Sequence, residues 1–344
     1  MVNPSTFVAT TLLLASSAAV GVFPVPPQAT TPTTTTWSDW DQNQVCHPTT
    51  PLFQPSSEQE IVAHILASPT RQVKVVGAGH SFSSITLTDE GRLSSLLNLD
   101  KLTGVIKATR NVDGLTTDVV VRAGTRLRDL NEALLDLGLA FPNLGATAAQ
   151  SLAGAIATGT QGTGKNLGSL STVVFGVRVV DGRGEVHEAS GQAEGDLFNY
   201  LRLNLGTLGV ITEVTIRVPP AYKIRKTSYT LPLDEMIQRH DDIYAKHERM
   251  QWSYVPYAVP ATASVLIREV VPFDTPITNG GCWPDAGANP TDFLVAPLGA
   301  PPEEMLGNTN SSCVDVSYKA LVDSYDQYVA RTLYTEMEVS FNRR

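Results

Sequence analysis

The chain has 344 residues, a formal net charge of −9 and a sequence pI near 5.2, with 42% hydrophobic and 17% charged residues. That length exceeds one ordinary core and suits two domains of roughly 150 residues each once non-globular ends are set aside. The acidic balance and the lack of Lys or Arg runs exclude a phosphate-backbone partner, so no nucleic acid is expected.

In chain order, Phe7 to Val25 (FVATTLLLASSAAVGVFPV) is apolar and rich in small residues. It is expected to be a targeting segment, residues 1–25 forming a signal peptide or anchor. About twenty apolar residues can span a bilayer, but the Thr and Ser dilution and Pro24 weaken the anchor reading. A Pro/Thr tract over 26–36 cannot pack a core and reads as a linker. The globular part is expected from Trp37, with a first domain over 37–221 and a second over 222–344.

Glu58 to Leu66 carries apolar residues at helical spacing with Ser56 or Ser57 as N-cap. Val73 to Val76 and Val119 to Val121 read as strands, each ended by a glycine. Leu127, Leu130, Leu134 and Leu137 share one helical face, with Gly138 placed as a C′ glycine. From Phe141 to Gly168 the chain becomes a tract of small residues that lets a backbone approach a ligand closely and supplies little packing of its own. Val173 to Val180, the turn Asp181 to Gly184, and Glu185 to Glu188 form a predicted hairpin. Asp196 to Leu203 reads as a helix, and Val210 to Val218 as a strand stopped by Pro219 and Pro220. Beyond Ala221 bulky aromatics become commoner, Trp252, Tyr254, Tyr257 and Trp283 among them. Asp241, Asp242, Lys246, Glu248 and Arg249 read as one solvated helix face.

Of three cysteines, Cys282 and Cys313 are the more plausible bridge, leaving Cys46 odd. A bridge would persist in the secretory route, where Asn310-Ser311-Ser312 would also be a glycosylation sequon. The histidines His47, His64, His187, His240 and His247 show no HExxH spacing and there is no CxxC, so no metal site is expected.

Three segments carry chemistry. Val75 to Ser83 runs from a strand into the loop Gly77-Ala78-Gly79-His80-Ser81, whose successive N–H groups can form an anion nest suited to a pyrophosphate. By pattern alone it reads equally as a tight turn. The tract offers Ser151, Thr158, Thr160, Gln161 and Thr163 among Gly154, Gly159, Gly162 and Gly164, a surface able to follow a phosphate or a flat ring. Leu205 to Thr212 repeats the glycine-then-strand pattern.

Together, GAGHSFS, then FPN with SLAGAIATGTQGTG and LGSLS, then LGTLGVITEVTIRVPPAY resemble the FAD-binding module of the vanillyl-alcohol-oxidase superfamily. Within it the chain is most similar to the sugar-1,4-lactone oxidases, of D-arabinono- and L-gulono-1,4-lactone type, and to alditol oxidases. WSDWDQNQVCHP resembles the family's entry motif, and YTEMEVSF a later lactone-oxidase segment. The resemblance implies an α+β fold: a PCMH-type FAD-binding domain of two α/β subdomains, then an incomplete α+β substrate or cap domain. It implies FAD bonded covalently to His80, with Gly77, Ala78, Gly79, His80 and Ser81 holding the pyrophosphate and ring edge. Ser151, Gly154, Thr158, Gly159, Gly162 and Gly164 would line the cofactor, and Ile211 would meet it through its backbone. The implied reaction is oxidation of a C–H beside a hydroxyl, in a sugar lactone or polyol, with oxygen as electron acceptor.

Gln161 stands where relatives carry a histidine, and Ala146 where a polyol-oxidising relative has a serine, which favours a lactone. A terminal HWGK-like motif is absent, so the chain is expected to be C-terminally truncated, with no acid/base residue assigned. An alditol or other GHS-loop flavoenzyme, and an inactive flavin-binding fragment, are the alternatives. The expected location is secreted or membrane-associated through the N-terminus.

Overall fold

The structure, a computed structural model, describes residues 35–40, 42–191, 195–254, 260–279, 281–282 and 311–321. The segment Phe7 to Val25, most of the Pro/Thr tract, Tyr257, Trp283, Asn310 and YTEMEVSF lie outside them.

Strands β1 (Trp37–Ser38) and β2 (Val45–Cys46) pair antiparallel ahead of helix α1 (Glu58–Leu66). The helix starts where the sequence predicts. Ser57 accepts from the Glu60 N–H, and the Glu60 carboxylate accepts from the Ser56 N–H at 2.9 Å. Donors that the first turn leaves bare are thereby satisfied from both sides. Ile61 and Ile65 then point into the core.

Next, β3 (Gln72–Val76) lies parallel to β4 (Ser94–Asn98), which is buried at every position. Strands β5 (Val105–Arg110), β6 (Thr117–Arg122), β7 (Val174–Val180), β8 (Val186–Ser190) and β9 (Val210–Val218) form an antiparallel sheet in the order β5-β6-β9-β7-β8. Alternation places Val210, Thr212, Val214, Ile216 and Val218 of β9 on one face, and all five are buried. Ile211 is buried too, on the opposite face.

Helix α2 (Leu127–Asp136) packs on this core through Leu127, Leu130 and Leu134, each 0% exposed. Each such leucine contributes roughly 2 kcal/mol of burial. Leu137, predicted on the same face, is exposed: it is the C-cap, and Gly138 at φ 70° turns the chain away there. The glycine-rich tract also departs from expectation, because α3 (Leu152–Ala157) forms inside it and buries Leu152, Ala153, Ala155 and Ile156. The hairpin joins β7 to β8 as read, and helix α4 (Gly195–Leu201) ends two residues before the predicted Leu203.

Past Pro219 and Pro220 come β10 (Lys223–Pro232), α5 (Leu233–Lys246), β11 (Arg249–Tyr254), β12 (Thr262–Val271), β13 (Ser311–Val316) and α6 (Ser317–Leu321). The strands form a second antiparallel sheet, β11-β12-β10-β13. Met236 and Ile243 of α5 pack on Met250, Ala263, Val265 and Ile267. Asp241, Asp242 and Lys246 are exposed on α5 as predicted. Arg249 is not on that face: it opens β11 and is 4% exposed. The Cys282–Cys313 bridge forms, and Cys46 is free and buried. Among the described residues no helix is long and apolar enough to cross a membrane.

Candidate functional site

The parallel pair β3 and β4 ends at one edge, and ligands of α/β arrangements bind beyond the carboxyl ends of parallel strands. The loop from Gly77 to Ser83 leaves β3 there. Its course is fixed from three directions. Asn98 at the end of β4 donates its amide to the Gly77 carbonyl at 3.3 Å. Gly77 presses on the N-cap of α3, so that a Cβ there would fall 2.1 Å from Ser151 Oγ. Gly79 turns at φ 75°, and its carbonyl oxygen accepts from the Trp40 N–H at 3.1 Å.

The loop forms one wall of a cleft of about 940 Å³, counting its solvent-open mouth. Helix α3 with its flanks and Ile211 of β9 also line the cleft, and Ile211 is buried off the alternation because it packs in the main core. The residues Asn204 to Gly206 close one side. Asn204 holds that turn, donating to Leu201 O at 3.0 Å and accepting from the Gly206 N–H, with Leu205 left-handed at φ 51°.

Nine of the twelve residues singled out by sequence line this one cleft: Gly77, Ala78, Gly79, His80, Ser81, Ser151, Gly154, Thr158 and Ile211. Gly159, Gly162 and Gly164 are not among its lining residues. Gly159 faces Leu203, and Gly162 lies against the Leu144 carbonyl, 2.2 Å from where its Cβ would be. Gly164 bridges to Arg249. Sequence reading passed over Lys74, Thr86 and Gln150, which also line the cleft. No spacing rule marks them, since each belongs to a different element.

The donor set fits a long, phosphate-bearing cofactor such as FAD. Lys74 is the one Lys or Arg among the lining residues, and its Nζ is engaged by the Ile85 carbonyl at 3.0 Å. Besides that ammonium, an anion in the cleft would be met by hydroxyls and by backbone N–H groups, which a glycine loop supplies. Thr86 Oγ1 and Gln150 Oε1, on two of the lining residues, are buried without a protein partner. Gln150 is held by its other end, Nε2 donating to Thr160 Oγ1 at 3.3 Å.

A second polar group sits between the tract and the second sheet. The Tyr222 hydroxyl lies 2.8 Å from Phe141 O and 3.0 Å from Pro142 O, and Arg249 donates to Pro142 O at 3.1 Å. Burial pushes the Tyr222 phenol up to about 12, against the pull of the Arg249 charge, so it remains a donor across ordinary pH. Arg249 Nε and both ends of the Asn143 amide are buried without protein partners. On the β7–β8 turn Asp181, Glu185 and His187 converge to within 4.8 Å. Arg183 pairs with both carboxylates there, so the cluster already holds a cation.

Comparison with known proteins adds a family to this geometry. Residues 50–190 match the FAD binding domain family. The chain is 36% identical over 208 residues to D-arabinono-1,4-lactone oxidase of Yarrowia lipolytica, covering 60% of this chain and 39% of that protein. It is 32% identical over 249 residues to L-gulonolactone oxidase of Scyliorhinus torazame, covering 72% and 54%. L-gulono-1,4-lactone dehydrogenase of Mycobacterium tuberculosis is 33% identical over 234 residues, covering 67% and 52%. The chain thus spans about half or less of the length of these relatives. Among solved structures, cholesterol oxidase from B. sterolicum superposes with a TM-score of 0.59 at 19% identity, over 73% of this chain and 51% of that one. The fold is α+β and like that of this cholesterol oxidase, with residues 50–190 similar to the FAD binding domain family.

Proposed function

We propose that the chain is the FAD-binding part of an oxidoreductase that oxidises a CH–OH group of a sugar 1,4-lactone, with His80 bonded to the flavin. The observation that carries this reading is the convergence of three distant segments, Gly77 to Ser81, Ser151 to Thr158 and Ile211, on one cleft with His80 in its wall. The lactone comes from the names of the relatives, D-arabinono-1,4-lactone oxidase and L-gulonolactone oxidase.

FAD, when bound, supplies hydride acceptance and electron passage to an acceptor. Everything else falls to the chain. Backbone N–H groups of the Gly77 to Ser81 loop hold the pyrophosphate in a net acidic protein without calling on a lysine. Ser151, Gly154 and Thr158 follow the cofactor along α3, and Ile211 keeps its floor dry. Gly159, Gly162 and Gly164 act a layer behind, setting the backbone that carries those contacts. The second sheet serves the substrate side, joined to the tract through Tyr222 and Arg249. Oxygen is the acceptor, and an aldonolactone oxidised beside its carbonyl gives an ascorbate-type enediol. The Cys282–Cys313 bridge supports passage through the secretory route, with the segment before residue 26 as its signal or anchor.

The test mixes the flavin-loaded protein anaerobically with D-arabinono-, L-gulono- and L-galactono-1,4-lactone and with xylitol and sorbitol. Bleaching of the flavin absorbance by a lactone, followed by peroxide on admitting air, is the expected result. Bleaching by the alditols alone would replace the lactone reading with a polyol one.

A further inference from the structure

We propose that Trp40 is a positioning residue for His80, holding its imidazole in the one orientation from which it can bond to the flavin. This deepens the reading above and rests on it. His80 follows Gly79, whose left-handed φ of 75° puts a pivot immediately before it. A histidine on a pivot is a poor nucleophile for a fixed target, because a near-attack geometry places the reacting atoms about 3–3.5 Å apart and a misplacement of about 1 Å costs roughly a hundredfold.

The segment before β2 removes that freedom. The Trp40 N–H donates to the Gly79 carbonyl at 3.1 Å. A Cβ on Gly79 would lie 3.3 Å from Asp39 Cα and from Trp40 N, so the two backbones are in contact. The indole centroid stands 5.5 Å from the His80 ring at 35°, and 6.1 Å from the Phe82 ring at 68°. One side chain therefore touches both rings that follow the pivot. The brace is itself braced. Asp39 N–H donates to Gln44 O at 3.0 Å, its Oδ1 accepts from the Gln44 N–H at 3.0 Å, and Trp37 pairs with Cys46 across β1 and β2. Trp40 is not among the residues lining the cleft, so it acts through His80.

The bond is a two-electron oxidation. An imidazole N–H and a flavin methyl C–H are lost and a C–N bond forms. The two electrons and two protons leave to dioxygen as hydrogen peroxide.

The experiment uses the full chain, prepared without flavin from riboflavin-starved cells and then mixed with FAD in air. Bound FAD is read before denaturation, and covalent flavin by acid precipitation over time, in the parent, Trp40→Leu and Trp40→Phe. In Trp40→Leu we expect FAD affinity within about threefold of the parent and attachment slowed by about tenfold or more, consistent with a misplaced reactant. Trp40→Phe restores an aromatic contact and is expected within about threefold of the parent in both readouts. Should Trp40→Leu fail to fold, Trp40→Met takes its place with the same expectation. Attachment as fast in the aliphatic variant as in the parent overturns the proposal. So does an equal loss of affinity and attachment, which would make Trp40 a wall of the cleft. Flavin released quantitatively from the parent would instead remove the His80 link itself, and the positioning role with it.

Discussion

Around the cleft the chain acts mainly through its backbone, and in the four-stranded sheet it acts through side chains. The Gly77 loop, the Ser151 N-cap and the Asn204 turn bring main-chain groups to the cleft, and its one lysine is engaged by a backbone carbonyl. The second sheet meets the small-residue tract through side chains, Tyr222 on the carbonyls of Phe141 and Pro142, Arg249 on that of Pro142, and Lys165 on those of Tyr244 and Ala245. A site made of backbone tolerates no Cβ where chains touch and accepts many side chains elsewhere. A junction that leans on side chains loses the contact of the residue replaced, while the Lys165 N–H to Glu248 O bond and the Gly164–Arg249 bridge remain.

The largest effect is expected where main chains touch. A Cβ on Gly124 would lie 1.8 Å from the Leu99 carbonyl oxygen and 3.0 Å from that of Leu102. Backbone cannot rotate aside as a side chain can. Gly124→Ala is expected to destabilise by about 3 kcal/mol, the upper end of ordinary overpacking, read as a lower urea midpoint at unchanged slope. An unchanged midpoint would show that the two regions differ less than described.

Arg249→Met sharpens the other side of the comparison. It removes the hydrogen bond to Pro142 O and the pair with Glu248 at 2.7 Å. Glu248 is 43% exposed, so the ion pair itself contributes little, and the buried charge-assisted bond dominates. A loss of about 2 kcal/mol is expected, with FAD affinity nearly unchanged because the cleft is walled by other elements. A fall in FAD affinity as large as the fall in stability would merge the two regions into one site.

The smallest effect concerns pH. The Arg178 guanidinium hydrogen-bonded to Glu58 at 2.8 and 2.9 Å holds that carboxyl below its ordinary 4.5, against burial and with help from Thr212. Because the folded value is the lower one, the stabilisation is full above about pH 4.5 and is lost as pH falls through the folded value. Glu58→Gln should flatten the stability profile below pH 4.5 and leave its slope at neutral pH unchanged. A change in slope confined to neutral pH would mean another group carries the dependence.

The same contrast explains what the sequence could tell. Helix α1 and strand β9 were legible to the residue, because periodicity and caps are local properties of the chain. The glycine segments pointed to the cleft because a missing Cβ is visible in a sequence. Helix α3 was not legible: Leu152 and Ile156 anchor it, but alanines and a glycine between them blur the period. Leu137 was assigned to a buried face that the helix ends too soon to extend. Arg249 was read as solvated from its charged neighbours, whereas strand pairing with Arg268 and the approach of Pro142 bury it. Lys74, Thr86 and Gln150 enter the cleft from three elements, and only the fold brings them together.

The central claim is that the cleft between the Gly77 loop and α3 takes FAD with its pyrophosphate on that loop. Titration of the flavin-free chain with FAD, followed by fluorescence quenching in the presence and absence of ADP, tests it most directly. Saturable one-to-one binding that ADP displaces, since its pyrophosphate would occupy the same N–H groups, is the result this account predicts. Absence of saturable binding, or binding that ADP leaves untouched, would contradict it.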